Sequence, residues 1–296
     1  MFKGVALSVL STILFSFTYY YSTILKSWSG GEIFSWRLLL TVPAMTLLVI
    51  AVKGWGDVRE IASRARNSFT FTLLLLFSSA LLGVQQWLYL WAPVNGRALH
   101  VALGYFLMPL TMVIVGSFVY GERLSVLQKI AALLAALGVA HELFRAGAFS
   151  WEATLVAIGF PAYFVLRKSI RTENLGGLWF DMVLAIPFSV LTLFIIADAR
   201  SVNPPLMNYF HVSVVALISV GALASYIFAS RVLPFGLFGL LGYIEPILML
   251  IVSFLIGESI SGSDWYTYVP IWCALAVLFS DGVRHLLKSG PAFVRG

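Results

Sequence analysis

The chain alternates between long apolar runs and short polar connections, and this pattern predicts its secondary structure. A helix needs about 20 apolar residues to cross the hydrocarbon core of a bilayer. Ten segments reach roughly that length: 4–25, 33–52, 69–91, 98–120, 124–144, 151–170, 177–198, 209–230, 234–256 and 264–285. The two longest connections between them are Lys53–Ser68 and Ala199–Asn208. The pattern therefore predicts an all-α integral membrane protein with ten transmembrane helices, neighbouring ones antiparallel.

One apolar stretch occurs twice. Leu103–Glu122 reads LGYFLMPLTMVIVGSFVYGE, and Gly239–Glu258 reads GLLGYIEPILMLIVSFLIGE. Each copy contains Leu-Gly-Tyr, a proline, an apolar run and a final Gly-Glu, which indicates internal duplication. We predict two halves of five spans each, 1–145 and 146–290, with 291–296 as a cytoplasmic tail. Because five is an odd number, the second half must enter the membrane from the opposite side, as in the inverted repeats of secondary transporters.

The composition agrees with a membrane protein. Hydrophobic residues make up 60% of the chain and charged residues 11%, and the mean hydropathy is +0.94. A soluble domain carries about 25% charged residues. The opening MFKG leads straight into apolar sequence, so we expect an uncleaved first span rather than a signal peptide. Cys273 is the one cysteine, so no intramolecular disulfide can form.

The basic residues predict the orientation. With a cytoplasmic N-terminus, fourteen of the 19 Lys and Arg residues fall on the cytoplasmic side. The positive-inside rule then places both termini in the cytoplasm and the chain in the cytoplasmic (inner) membrane. Anionic lipids and insertion bias account for the net charge of +6, so we expect membrane lipid as a partner and no nucleic acid. We expect a small-molecule substrate and a monomer or homodimer.

The doubled run resembles the EamA repeat of the drug/metabolite transporter superfamily, over essentially the whole chain. Further motifs are similar to its RarD-like permease branch: Glu32-Ile33 with Arg37, Gln86-Trp87 with Trp91, Leu103-Gly104-Tyr105-Phe106 with Pro109, and Arg167-Lys168. The resemblance implies two inverted five-helix EamA repeats. It also implies an inner-membrane permease that exports amino acids, amino-acid-derived metabolites or drug-like solutes. Glu245 departs from the pattern, because a small or neutral polar residue is expected before Pro246.

No enzyme motif is complete. His141-Glu142 begins like a metalloprotease motif, but Arg145 stands where the second His is needed. There is no G-x-x-x-x-G-K-[ST] loop for nucleotide phosphates. We therefore predict no enzyme activity, no cofactor and no metal.

Two apolar spans of the first half carry candidate binding residues. Arg37 lies about one turn into the second span, where it could bind a substrate carboxylate, pair with Glu32 or anchor the helix at the outer face. Gln86 and Trp87 could contact a solute, or they could form interhelical hydrogen bonds and an aromatic belt.

Four tyrosines in four spans are further candidates: Tyr105, Tyr163, Tyr226 and Tyr243. Each could instead serve packing alone. Pro109 and Pro246 are predicted hinges, because proline frees the carbonyl four residues earlier and kinks a helix. Glu122 and Glu258 are expected at the membrane faces, where they cap helices and pair with basic residues.

Glu245 is the strongest candidate for chemistry. It lies eleven residues into the predicted span 234–256, and burial in hydrocarbon disfavours its charged form. We expect it to bind a proton and the cationic amine of a substrate in turn. The alternative is a neutral Glu that is hydrogen-bonded to a neighbouring helix.

The prediction from sequence is a secondary active exporter of a small amphipathic or zwitterionic metabolite. An amino acid, an opine-type metallophore derived from amino acids, or an antibiotic would fit. The alternatives are a facilitative channel, and a receptor or scaffold of the same fold that does not transport.

Overall fold

A computed structural model describes residues 2–25, 27–121, 124–146, 150–199, 206–233, 238 and 241–288. The described residues form helices and connections, without a strand. The helices are α1 Phe2–Tyr21 with a 3-10 turn at Ser22–Leu25, α2 Gly30–Ala51, α3 Trp55–Asn67, α4 Phe69–Val94, α5 Ala98–Tyr120, α6 Val126–Ala146, α7 Trp151–Ser169, α8 Leu175–Leu184, α9 Ile186–Ala199, α10 Leu206–Val232, α11 Ile244–Leu255 and α12 Trp265–Lys288.

The prediction of an all-α membrane protein with about ten spans is confirmed. Within the described residues, eight helical segments are long and apolar enough to cross a membrane: Phe2–Leu25, Gly30–Ala51, Phe69–Val94, Ala98–Tyr120, Val126–Phe144, Leu175–Ile195, Leu206–Ser230 and Trp265–Arg284. The other two predicted spans correspond to α7 and to the shorter apolar helix α11.

The connection Lys53–Ser68 contains a helix that the hydropathy pattern did not predict. This helix, α3, has 13 residues, and it packs against α4 and α8. Val58 and Ile61 are buried on one face, while Arg59 and Arg66 are exposed on the other. The helix is amphipathic, and its polar face makes it too hydrophilic to cross a membrane.

The predicted span 177–198 is two helices rather than one. It divides at Ala185 into α8 and α9. Pro187 is the second residue of α9, and a proline in the first turn needs no backbone hydrogen-bond donor. The proline therefore begins the second helix instead of kinking a continuous one.

The predicted continuous span 234–256 is wrong in one respect. A turn at Gly242–Tyr243 interrupts it, and α11 begins only at Ile244. Pro246 consequently lies in the first turn of α11, where proline is tolerated, and not in a helix interior. In the first copy of the repeat α5 continues through Pro109. The prolines' hinge role stays a prediction.

The chain forms two compact units. The first unit comprises Met1–Ser16, Ala98–Pro161 and Ser225–Gly296, and the second unit comprises Phe17–Arg97 and Ala162–Ala224. Each unit draws residues from both sequence halves. The division into repeats at residues 145 and 146 concerns ancestry and orientation, and it stays a prediction.

Small residues bring α6 and α12 together in the first unit. Ala131 and Ala135 are buried, and a Cβ added at Gly138 would lie 2.6 Å from the carbonyl oxygen of Thr267. Lipid tails are as apolar as leucine, so close backbone approach replaces hydrophobic burial as the source of helix association in a membrane. Ile271 packs into the space that Gly138 leaves open.

The repeated Gly-Glu ends α11 and caps α5. Gly257 has φ +93, and the amides of Gly257 and Glu258 donate to the carbonyls of Phe254 and Ser253, which is a Schellman motif. The Glu258 carboxylate then accepts the backbone N–H groups of Ala98 and Leu99 at 2.7 and 2.6 Å. Glu258 thus has the capping role expected from the sequence, and its counterpart Glu122 lies outside the described residues.

Replacing Gly257 by alanine tests this ending. The added Cβ meets no atom within 4 Å, so the cost is purely the left-handed backbone, about 1–2 kcal/mol. We expect Gly257→Ala to lower the thermal unfolding midpoint in detergent. Gly262→Ala is the matched control, because Gly262 is equally open and its φ is outside the left-handed region. Equal midpoints for the two variants would contradict the prediction.

Candidate functional site

Arg37 and Gln86, which the sequence nominated separately, meet in the second unit. Ser29 caps α2 in a capping box with Glu32, whose carboxylate accepts the Ser29 backbone N–H at 2.8 Å. Arg37 is buried two turns into α2 and donates through Nη2 to Gln86 Oε1 at 2.5 Å. Its Nη1 lies 3.5 Å from Ser219 Oγ on α10. A guanidinium, an amide and a hydroxyl together form a group that can bind a carboxylate.

Trp87, the residue after Gln86 on α4, carries an aromatic surface. It is half-buried, and its ring centroid lies 5.5 Å from that of Trp91, one turn further along α4. Trp91 lies directly against Gly30, where an added Cβ would be 2.6 Å from the Trp91 Cβ atom. The beginning of α2 therefore holds one ring of the pair in place.

Tyr163 belongs to a second polar network of the second unit. Its hydroxyl accepts from Arg167 Nη1 at 2.6 Å and donates to Asp181 Oδ2 at 2.8 Å. Ser78 on α4 donates to the other carboxylate oxygen at 2.8 Å, and Arg167 Nη1 lies 3.6 Å from Asp181 Oδ2. Asp181 is 2% exposed. The network joins α4, α7 and α8.

Arg167 also closes the connection after α7. Its Nε donates to the carbonyl of Thr172 at 2.9 Å, and its Nη2 donates to the carbonyls of Thr172 and Asn174. The guanidinium thus binds both the buried network and the backbone that leads into α8. Sequence reasoning named Arg167 as part of a RarD-like motif and missed Asp181. The criterion that selected Glu245, a carboxylate inside an apolar run, selects Asp181 equally well.

Glu245 lies in the first turn of α11 in the first unit. It is half-buried, and its backbone N–H donates to the carbonyl of Gly242 at 3.2 Å. Its carboxylate interacts electrostatically with Tyr226 on α10, whose ring packs edge-on against Phe238 at 4.8 Å. Two of the sequence-predicted residues are thus neighbours.

Glu245 differs from five other acids whose side chains the structure describes in apolar helices. Glu32, Glu142, Glu152, Asp181 and Asp281 each accept a hydrogen bond from a serine, threonine or tyrosine hydroxyl. Among the described residues, none donates a hydrogen bond to the Glu245 side chain.

Tyr105 and Tyr243, the tyrosines of the repeat, lie in the first unit. Tyr105 is buried in α5 with its ring 5.5 Å from that of Phe160. Tyr243 immediately precedes α11, and its ring meets Phe279 edge-on at 6.2 Å. Their roles as substrate contacts, and those of the other sequence-predicted site residues, stay predictions.

The part of the chain that the structure describes holds no group of three or more His, Cys, Asp and Glu side chains placed to bind a metal ion. His141 and Glu142, which resemble the start of a metalloprotease motif, both contact the hydroxyl of Thr267. The distances are 3.0 Å to His141 Nδ1 and 2.9 Å to Glu142 Oε2. This pair therefore serves to join α6 to α12.

Comparison with known proteins agrees with the fold. Residues 2–141 match the EamA-like transporter family. An uncharacterized transporter of Pasteurella multocida is 38% identical over 97% of this chain and 99% of its own. The chloramphenicol-sensitive protein RarD of Pseudomonas aeruginosa is 34% identical over 97% and 96%, and the protein RarD of Escherichia coli K12 is 27% identical over 95% of each. One crystal structure shares the fold at a TM-score of 0.57 and 18% identity, over 95% of this chain.

The helices and these similarities define a multi-pass membrane transporter. Within that class the chain belongs to the EamA-like transporter family of the drug/metabolite transporter superfamily, as a RarD-like permease.

Proposed function

We propose that this transporter is a secondary active exporter of a small amphipathic or zwitterionic metabolite, driven by proton entry through alternating access. The substrate is an amino acid, an amino-acid-derived metabolite such as an opine-type metallophore, or a drug-like compound. The protein acts in the cytoplasmic (inner) membrane with both termini in the cytoplasm. The Pseudomonas aeruginosa relative is named for sensitivity to chloramphenicol, which supports the drug-like class.

The state of Glu245 carries this proposal. A carboxylate at membrane depth is a candidate functional residue, because hydrocarbon cannot solvate its charge. Hydroxyl donors stabilise Glu32, Glu142, Glu152, Asp181 and Asp281, whereas Glu245 accepts no hydrogen bond from the described residues. A proton or a substrate ammonium group can neutralise it, and one excludes the other. Such exclusive occupancy is the requirement for antiport.

Arg37 supports a zwitterionic substrate. Its guanidinium is buried and already bound to the Gln86 amide, so its position and orientation are set before a ligand arrives. A substrate carboxylate can accept from the same guanidinium and from the Gln86 amide N–H. The aromatic surface of Trp87, which follows Gln86 in the chain, suits the apolar part of an amphipathic solute.

Transport by the purified protein tests the proposed function. The protein is reconstituted in vesicles with an imposed pH gradient, and the accumulation of amino acids, metallophores and antibiotics is measured. Accumulation against a gradient supports an antiporter. Uptake that equilibrates without trans-stimulation would indicate a channel. The absence of any flux, with folded protein in the vesicles, would favour a receptor or scaffold.

Arg37→Lys is expected to raise the KM for a carboxylate-bearing substrate about tenfold, because an ammonium group cannot reproduce two parallel hydrogen bonds. Esterifying the carboxylate should then weaken transport by the wild type far more than by the variant. Arg59→Lys, on the exposed face of α3, is the matched control and should leave the KM unchanged. Equal losses on esterification in wild type and variant would show that Arg37 only anchors α2.

A further inference from the structure

Left-handed residues end several helices of this protein. Gly96, Gly121 and Gly257 have φ of 65, 68 and 93, and each directly follows a helix or its last turn. Glycine adopts this conformation without steric cost, which is why it is the common residue at this position. These three positions need no further explanation.

Two helices end in the same way on a basic residue. Lys53 has φ 60 after α2, and Arg171 has φ 53 after α7. Both complete Schellman motifs, since Lys53 and Gly54 donate to the carbonyls of Ile50 and Val49, and the amides of Arg171 and Thr172 bond in the same pattern. They are the two non-glycine residues with positive φ in the described chain. Such strain persists where the surrounding structure enforces it, and it clusters at functional and ligand-binding positions.

The two residues lie on one surface of the second unit. α3 begins two residues after Lys53, and near its end Arg64 donates to the carbonyls of Ile170 and Arg171 at 2.6 and 3.3 Å. The Arg64 guanidinium also lies 4.2 Å from the centre of the Phe71 ring. α3 is therefore fixed between the two strained positions. At its other end Trp55 packs edge-on against Trp179 at 5.5 Å.

This surface is basic and open. Its cations are Lys53, Arg59, Arg64, Arg66, Lys168 and Arg171, and its acids are Asp57, Glu60 and Glu173. Lys53 and Arg171 are both exposed. The helix dipole favours a cation at a helix C-terminus by about 0.3–1 kcal/mol, which is less than the roughly 1–2 kcal/mol cost of the left-handed backbone. An anion bound by each side chain would offset the remainder.

We propose that Lys53 and Arg171 bind the phosphate headgroups of anionic phospholipids, with α3 lying along the membrane surface between them. The surface is at the end of spanning helices, where headgroups are the nearest anions. Each cation near an anionic membrane surface contributes favourably to binding. Glycine at either position would relax the backbone and lose the headgroup. The inference does not depend on which solute is carried.

The test compares two membranes and one double variant. Wild type and Lys53→Gly/Arg171→Gly are placed in nanodiscs of phosphatidylcholine alone or of an equimolar mixture with phosphatidylglycerol, and thermal unfolding is followed. Phosphatidylglycerol should raise the midpoint of the wild type by ligand linkage. In phosphatidylcholine the double variant should unfold about 2–4 °C above the wild type, because its strain is gone. In the mixture with phosphatidylglycerol, this difference between the two midpoints should become smaller or change sign.

A charge-conserving variant, Lys53→Arg/Arg171→Lys, is the control and should respond to phosphatidylglycerol like the wild type. The proposal is overturned if phosphatidylglycerol raises the unfolding midpoint of the double glycine variant as much as that of the wild type. It is also overturned if free glycerol phosphate, added to phosphatidylcholine nanodiscs, stabilises the wild type equally well, since a small soluble anion would then be the ligand.

Discussion

Glu245→Gln is expected to abolish proton-driven accumulation of substrate while exchange of substrate for substrate persists. Glutamine keeps the shape of the side chain but cannot bind or release a proton. The measurement uses inverted vesicles with an acidic interior, where accumulation follows the pH gradient, and symmetric vesicles, where exchange is followed with labelled substrate. The expected loss of accumulation is complete, because no other acid can substitute for an absent coupling group.

Glu142→Gln is the matched control for this experiment. It makes the same change at an acid in an apolar helix of the same unit, but Glu142 is held by the hydroxyl of Thr267. The Glu142→Gln variant should still accumulate substrate. If Glu245→Gln still accumulates substrate with the pH dependence of the wild type, the Glu245 carboxylate is structural and another group couples the proton.

The position of Glu245 at a helix start sharpens the physical argument. A helix N-terminus stabilises a nearby carboxylate by about 0.3–1 kcal/mol, up to ~2 kcal/mol in partly buried geometry. Removing an ion from water costs several kcal/mol. The dipole therefore offsets only part of the cost, and the charged form needs a cation beside it. Discontinuous helices are where transporters place such ion and substrate groups.

The spans could be predicted because the membrane imposes a minimum length on apolar helices. α5 and α12 agree with their predicted segments to within a few residues, except that α12 runs on to Lys288. α3 could not be predicted by that criterion, because its helix lies on a surface and needs only one apolar face. The break before α11 was missed because Gly242 and Tyr243 are uncharged and the apolar run continues on both sides of them. Hydropathy does not register a turn.

The site was predicted residue by residue, without its pairings. Arg37 and Gln86 were separate candidates, each with a structural alternative, and the structure joins them by one hydrogen bond. Nothing in one sequence specifies which faces of α2 and α4 meet, since their apolar residues surround the helix. Asp181 was missed for a different reason. It lies in a strongly apolar run like Glu245, but no repeated motif surrounds it.

Asp181→Ala is expected to be the most destabilising single substitution in the second unit. It would leave Arg167 buried without its carboxylate, and the hydroxyls of Ser78 and Tyr163 would lose their acceptor. Breaking a buried pair by removing one partner costs about 3–5 kcal/mol. Thermal unfolding in detergent should therefore begin roughly 10 °C earlier than in the wild type. Glu173→Ala, at an exposed position of the nearby connection, should leave the midpoint unchanged.

Tyr163→Phe decides between the two interpretations of this network. Tyr163 was predicted to contact substrate, whereas its hydroxyl in the structure links Arg167 to Asp181. If that link is its role, the variant lowers the unfolding midpoint, loses about 1–3 kcal/mol of stability, and keeps the KM of the wild type. A raised KM with an unchanged midpoint would mean that the hydroxyl contacts the solute. In that case the Asp181 network positions a binding residue as well as the helices around it.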